Sequence, residues 1–383
     1  MSLFSKDNGF LGVDIGAYGI KIVQLHKQKG RPQLWTYGIA DGALDIHLPE
    51  VINKTPEELS QEGTMLGSHT TKVKKDDTQP LYFGESDPRV DRYAEVLKSL
   101  MKEARVTTRL ATASIPVSHV FHTIVTLPKV EKESEMKTYI NAELKKVLTR
   151  PLEDMQVVHQ KIPSTNNDEK YMRVLVTAAP KTMVAFYSAI FQKAGLELKE
   201  LETEAFAIER SLVGKDTATM MVVDVGAERT NFFIMDQGLP MTHRSIQVGG
   251  DNIDKVLSDA LGVEHELVDV MKGDVSEIAW DEETMSVFDV VLDPILKEVQ
   301  YSFDLFLSQS GNQVKRPEKI VLTGGSSVFP PLKKRLEQTF DLRVFIGDPW
   351  ARIVYQQEIK SLLSEMGPRM AVSIGLALRN IIE

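Results

Sequence analysis

The chain has 383 residues, 42% hydrophobic and 26% charged, an ordinary globular composition that leaves room for two or three domains and excludes wholesale disorder. Its 45 basic and 54 acidic side chains leave a net charge of −9, a poor basis for a nucleic-acid binder acting through a broad basic surface. It has no cysteine, which removes disulfides, cysteine-ligated zinc, iron–sulfur clusters and a thiol nucleophile. Met1 to Gly9 lacks the apolar core of a signal peptide, and no run reaches the ~18 apolar residues that would span a bilayer. The expected location is the cytoplasm.

Leu11 to Leu25 reads as strand, glycine turn, strand, and another strand or hairpin follows at Gln33 to Ile39. Asp41 to Arg89, with four prolines and a polar centre, reads as a long insertion. Val90, Tyr93, Ala94, Leu97 and Leu100 then form a helical stripe within Val90 to Ala104. Strands are expected at Leu110 to Ile115 and Val120 to Leu127, a helix at Lys132 to Leu148, and strands at Met155 to Ile162 and Tyr171 to Ala178. Helices follow at Lys181 to Ala194, stopped by Gly195, and at Glu204 to Leu212. Thr219 to Met235 is again strand, glycine turn, strand, and Gly249–Gly250 opens a helix over Asp251 to Leu261. An acidic stretch at Gly273 to Glu283 precedes a long helix ending near Ser308. Lys319 to Leu322 is a strand running into Gly324–Gly325, with a helix from about Pro331, a strand at Val344 to Ile346, and a terminal helix at Met370 to Ile382. That last helix lacks the basic polar face of a membrane-surface helix, so packing within the protein is its expected role.

Two segments match in register. Gly12-Val-Asp14-Ile-Gly16-Ala17 lies beside Val222-Val-Asp224-Val-Gly226-Ala227, and such similarity at wide separation indicates a duplicated domain. Either turn alone is compatible with an ordinary hairpin. The pair, joined by Gly324–Gly325 after a buried strand, points to a nucleotide held between two lobes. Glycine turns expose backbone amides to phosphate oxygens, and a strand-end aspartate can hold magnesium through water.

The order of these motifs resembles the actin-like ATPase superfamily. Ile140-Asn-Ala-Glu143, Pro151-Leu-Glu-Asp154, Ala179-Pro-Lys181, Ala194-Gly-Leu196, Glu204-Ala-Phe-Ala207, Asp348-Pro349 and Gly375-Leu-Ala-Leu-Arg379 resemble one branch of it, the PilM family of type IV pilus assembly proteins. The resemblance implies an α/β, two-lobed actin-like fold with duplicated ribonuclease H-type βββαβα cores. The first core would comprise 1–106 and 195–216, with the polar insertion 41–89. An extra small α+β subdomain of the FtsA and PilM type would occupy 107–194, the second lobe 217–368, and a helix at 369–383 would pack back on the first core.

The resemblance also implies ATP and Mg2+ in the cleft. Asp14 and Asp224 would lie near the metal, with ATP contacts from Gly16, Ala17, Tyr18, Lys21, Gly226, Ala227, Thr230, Gly249, Gly250, Asp269, Lys272, Gly324, Gly325 and Ser326. Some of these have equally simple alternatives. Lys21 can be a solvent-facing strand lysine, Thr230 a residue chosen for its strand preference, and Asp269 and Lys272 an i, i+3 surface pair. Relatives often carry Ser or Thr where this chain has Ala17-Tyr18-Gly19, and Gly where it has Pro331. No residue to orient an attacking water is evident, so slow hydrolysis or binding alone is expected. His119-x-x-His122 has no nearby metal partner and reads as structural.

The implied partner is the cytoplasmic N-terminal peptide of a PilN-like inner-membrane protein, bound in a groove between the first core and the extra subdomain, alongside other pilus assembly proteins. No nucleic acid and no direct membrane insertion are expected. The alternatives are an FtsA-like filament-forming ATPase and a small-molecule kinase of the same superfamily.

Overall fold

A computed structural model describes residues 9–42, 44, 84–163, 170–262, 268, 281–309 and 312–382. Most of the expected insertion and of the acidic stretch after it, together with Asp269 and Lys272, lies outside those residues.

The first half begins with a meander, β1 (Gly9–Gly16), β2 (Gly19–Gln28) and β3 (Arg31–Ala40). Helix α1 (Arg89–Glu103) leads to β4 (Leu110–Ile115). There follow β5 (Phe121–Pro128), α2 (Glu133–Val147), β6 (Met155–Lys161), β7 (Tyr171–Pro180), α3 (Lys181–Ala194) and β8 (Glu197–Thr203). Helix α4 (Glu204–Ile208), widened by a π turn over Glu209–Val213, crosses to the second half. That half repeats the plan with β9 (Met220–Val225), β10 (Thr230–Asp236), β11 (Leu239–Ile246), α5 (Gly250–Leu261), α6 (Glu282–Ser286), α7 (Asp289–Ser308), β12 (Lys319–Thr323), α8 (Pro330–Phe340), β13 (Arg343–Ile346) and α9 (Lys360–Ile382).

The sheets run β3-β2-β1-β4-β8 and β11-β10-β9-β12-β13. Each is an antiparallel meander extended by two parallel strands. β5, β7 and β6 form a separate antiparallel sheet, backed by α2 through Val125, Leu127, Met136, Ile140, Leu144, Val174 and Val176. The opposite face of this small sheet, at Leu175, meets the core of the second sheet. Two expected boundaries move. β4 pairs with β1 in the first sheet, and α3 packs in the same core as α1, so the inserted unit is narrower than 107–194. The terminal helix starts at Lys360, well before Met370, and contains Pro368.

Period-two alternation explains the layers. Leu11, Val13, Ile15, Ile20 and Ile22 face α1 and α3. Met221, Val223, Val225, Ile320 and Leu322 likewise join the core formed with α7 and α8. The alternate residues Val222, Phe233 and Val321 pack with α4 and α9. On the first sheet α9 comes close enough that a Cβ added to Gly12 would stand 2.0 Å from the Ser373 carbonyl oxygen. α9 also touches α4, where a Cβ on Gly375 would lie 1.8 Å from the Ala207 oxygen. The α4–α9 layer therefore packs backbone to backbone between the sheets. Among the described residues, no helix is long and apolar enough to cross a membrane.

Candidate functional site

The layering fixes where the repeated aspartates point. Asp14 shares the strand face of Gly12, and Asp224 that of Met220 and Val222, so each follows the face of its sheet turned toward the α4–α9 layer. Thr203 ends β8 and Glu204 opens α4 between them.

Asp14 is 6% exposed and accepts a hydrogen bond from Ser114 Oγ at 3.3 Å. Lys21 is its direct partner in the β1–β2 register, which puts the two side chains on one face, with Nζ 3.6 Å from Asp14 Oδ2. The same Nζ is 3.0 Å from a Cβ built on Gly16. Lys21 thus lies along the turn with its side chain largely buried, which decides against a solvent-facing lysine. In the second sheet Asn231 takes the equivalent register position opposite Asp224 and donates from Nδ2 to Asp224 Oδ2 at 3.5 Å.

Glu204, absent from the residues expected at the site, joins the two aspartates there. Its Oε2 accepts from the Val117 amide at 3.2 Å. Burial, then the charges of Asp14 and Asp224, push its carboxyl up to about 8. Burial, then Asp14, push Asp224 up to about 6, against the opposing effects of Asn231 and Lys21. Three acidic side chains within electrostatic reach of one another, served by one ammonium, form a site that resists full ionisation.

The glycine loops approach as the repeat suggests, with differences in role. Gly324 has φ +88°, and a Cβ there would meet Asp224 Oδ1 at 2.6 Å and the Val225 oxygen at 2.4 Å, so only glycine lets this loop close over the aspartate. Gly325 follows it, beside the stem of Arg369. Gly249 and Gly250 open α5 as expected, but their amides are already used: Gly249 N donates to Asn252 Oδ1, Gly250 N to the Gly226 oxygen and Asp251 N to the Ala227 oxygen. This helix start secures the Gly226–Ala227 turn, so those amides do not stand open to a phosphate. Ser326 is buried with its Oγ against Gly250. Thr230 is fully buried and donates its hydroxyl to the Val248 oxygen at 2.7 Å, so it braces β10 and does not present the hydroxyl to the cleft. Ala17 accepts from the Leu44 amide at 2.7 Å, while Tyr18 projects outward.

His122 donates from Nε2 to the Pro240 oxygen at 3.0 Å, and its ring lies 5.0 Å from that of His243 on β11. They join β5 of the small sheet to the edge of the second sheet. Burial lowers His122 to about 4; burial and then the His122 charge lower His243 to about 3. Among the described residues, no group of three potential metal-ligating side chains occurs.

The family model for type IV pilus assembly protein PilM matches residues 85–381. The chain belongs to the PilM family. Among curated proteins, the cell division protein FtsA of Streptococcus pneumoniae is 24% identical over 201 residues, a match covering 46% of this chain and 43% of FtsA. The chain thus spans less than half the length of that curated relative. Among solved structures, a PilM–PilN type IV pilus biogenesis complex has a TM-score of 0.72 at 20% identity, covering 97% of this chain and 98% of that one. The ethanolamine utilization protein EutJ of Carboxydothermus hydrogenoformans has a TM-score of 0.50 at 14% identity, covering 97% and 89%. The PilM-family chain has the actin-like ATPase fold.

Proposed function

We propose that this PilM-family protein binds ATP with magnesium between its two glycine turns. The bound nucleotide then sets its affinity for the cytoplasmic tail of a PilN-like inner-membrane partner. The observation that carries the nucleotide reading is the convergence of Asp14, Asp224 and Glu204 beside Lys21. A partly buried space with excess negative charge favours a cation. The acidic side chains do not gather into a three-ligand cluster. The residues therefore fit magnesium held through water and phosphate oxygens, as that ion prefers, and not an all-protein cage.

Magnesium would supply charge neutralisation for the phosphates. Asp14 and Asp224 would hold its waters, Lys21 would face the phosphates along the Gly16 turn, and Gly324 and Gly325 would offer a side-chain-free wall to the nucleoside. Glu204 is the carboxyl available to orient a water. It keeps its proton near neutral pH and so is mostly unavailable to accept one from that water, and turnover is expected to be slow or absent.

The partner reading rests on the family and on the relative whose structure is a PilM–PilN complex. The groove would lie between the α1–α3 layer and the small sheet. The protein would then work at the cytoplasmic face of the inner membrane through its partner, together with other assembly proteins. Coupling between nucleotide and peptide must be reciprocal. The test is calorimetric titration of nucleotide-stripped protein with magnesium–ATP, with and without the tail peptide, on the parent and on Asp224→Ala. Saturable binding by the parent, weakened in the variant, and a tighter peptide in the presence of ATP are expected. Equal ATP binding by parent and variant would remove Asp224 from the site.

A further inference from the structure

Arg369 on α9 was not among the sequence candidates. It follows Pro368, whose carbonyl accepts from Thr323 Oγ and from the Gly324 amide, both at 3.0 Å. Those bonds fix its backbone against the second glycine loop. A Cβ built on Gly325 would meet Arg369 Cγ, Cδ and Nε at 3.6, 3.8 and 3.9 Å, so the side-chain stem lies along the Gly325 backbone. From there the guanidinium reaches the other sheet and forms an ion pair with Asp41, the residue after β3. Asp41 abuts the first glycine turn: its Cα is 3.1 Å from a Cβ built on Gly19. The Arg369 side chain therefore bridges the two glycine loops. The two side chains are 35% and 52% exposed, and a pair that exposed contributes little to stability. Its placement needs another explanation.

We propose that Arg369 is a phosphate-binding cation held by Asp41, and that nucleotide exchanges this carboxylate for a phosphate oxygen. The inference rests on the ATP reading above. A guanidinium fork fits a carboxylate and a phosphate alike. A polyphosphate seated on the Gly16–Gly19 turn would repel Asp41 and attract Arg369, so binding itself would drive the exchange. Because the parked pair is exposed, releasing it costs little. Lys21 would grip the phosphates from the first sheet and Arg369 from α9, which adds a contact that forms only when both sides close on the ligand.

The test is calorimetry with magnesium–ATP and magnesium–ADP on the parent, Arg369→Gln and Asp41→Asn, with melting curves to show that each is folded. Arg369→Gln is expected to weaken ATP roughly tenfold, the value of a charge-assisted hydrogen bond, and ADP by less. Asp41→Asn is expected to tighten ATP, because the cation is no longer held back. If the parent binds ATP and Arg369→Gln binds it equally well, the inference is overturned. It is also overturned if Asp41→Asn weakens ATP, since the ion pair would then persist in the bound state. A folded parent that binds no nucleotide would overturn both this inference and the ATP reading. Asp41→Asn keeps the question decidable should Arg369→Gln prove unstable.

Discussion

Asp224→Asn is expected to stabilise the nucleotide-stripped protein while weakening any binding of magnesium–ATP. Burial and Asp14 hold the Asp224 carboxyl at about 6, against 3.8 for an ordinary aspartate. At pH 7 the folded protein keeps this group ionised against that preference. The displacement corresponds to about 3 kcal/mol, at 1.36 kcal/mol per pKa unit. Asparagine preserves the shape and removes the charge. Allowing for an amide that gains no new partner, a gain of about 1 to 3 kcal/mol is expected, a sizeable part of ordinary domain stability.

The pH dependence supplies the discriminating measurement. A carboxyl whose folded value is raised binds its proton more tightly in the folded state than in the unfolded one. The cost of ionising it is therefore full above about 6 and fades as pH falls toward 3.8. The stability gap between variant and parent should be largest at pH 7, roughly half as large at pH 5, and about a fifth as large at pH 4. Urea unfolding of both proteins at each pH gives the gap, and the subtraction cancels every group that the two share. Magnesium–ATP should raise the parent's midpoint by mass action and leave the variant's nearly unchanged. A variant less stable than the parent at pH 7, or a gap that ignores pH, would refute the opposition between Asp14 and Asp224. The case for a cation between them would fall with it.

Gly375→Ala is expected to cost about 3 kcal/mol or more, because the new methyl would stand 1.8 Å from the Ala207 oxygen with backbone on both sides. Gly84→Ala, with nothing within 4 Å of the added carbon, should be nearly neutral in the same urea assay, and comparable losses in both would refute the close-packing argument. The His122–His243 contact should weaken in acid. Their folded values are lowered to about 4 and about 3 from 6.5, so the unfolded chain takes up protons first, and stability present above pH 6.5 is lost as pH falls toward those values. The loss between pH 6.5 and 5 is about 2 kcal/mol per imidazole. The double variant His122→Asn, His243→Asn should show a flatter acid limb in pH-series denaturation, and an unchanged slope would remove these histidines as its cause.

Much of the fold was legible because its signals are local. The α1 stripe is a simple helical period, Gly195 ends α3 in the left-handed conformation, and both aspartates sit in strand-end motifs next to glycine. β8 and β11 escaped for a local reason as well. Glu197-Leu-Lys-Glu-Leu-Glu-Thr203 carries four charges, and Leu239–Ile246 contains Pro240, His243 and Arg244. β8 and β11 are edge strands, and edge strands tolerate charge and proline because they are covered on fewer sides. The strand alternation of Lys21 left two readings open until the β1–β2 register placed it opposite Asp14. The alternatives for Thr230 and for the helix start at Gly249–Gly250 stay open in the sequence because the acceptors Val248, Gly226 and Ala227 become neighbours only when the second hairpin folds onto α5.

Glu204 had the weakest local signal of all. A glutamate opening a short helix is unremarked anywhere else, and its unusual proton affinity is created by two aspartates distant in sequence. A positional clue was nonetheless present: Glu204 lies in the segment that joins the two copies of the repeat, and in a duplicated fold the connector must cross the interface between them. The same reasoning applies to the differences between the copies. Register pairs Asp14 with Lys21 but Asp224 with Asn231, so an otherwise symmetric pair of hairpins carries its ammonium on one side only. Asp224 has only the Asn231 amide opposite it and the more distant Lys21 charge to offset burial and Asp14, and its raised value records that these do not suffice. A duplicated scaffold thus sets an aspartate at the same strand-end position in both sheets, and the copies differ in the residue that register places opposite it, a lysine in one and an asparagine in the other.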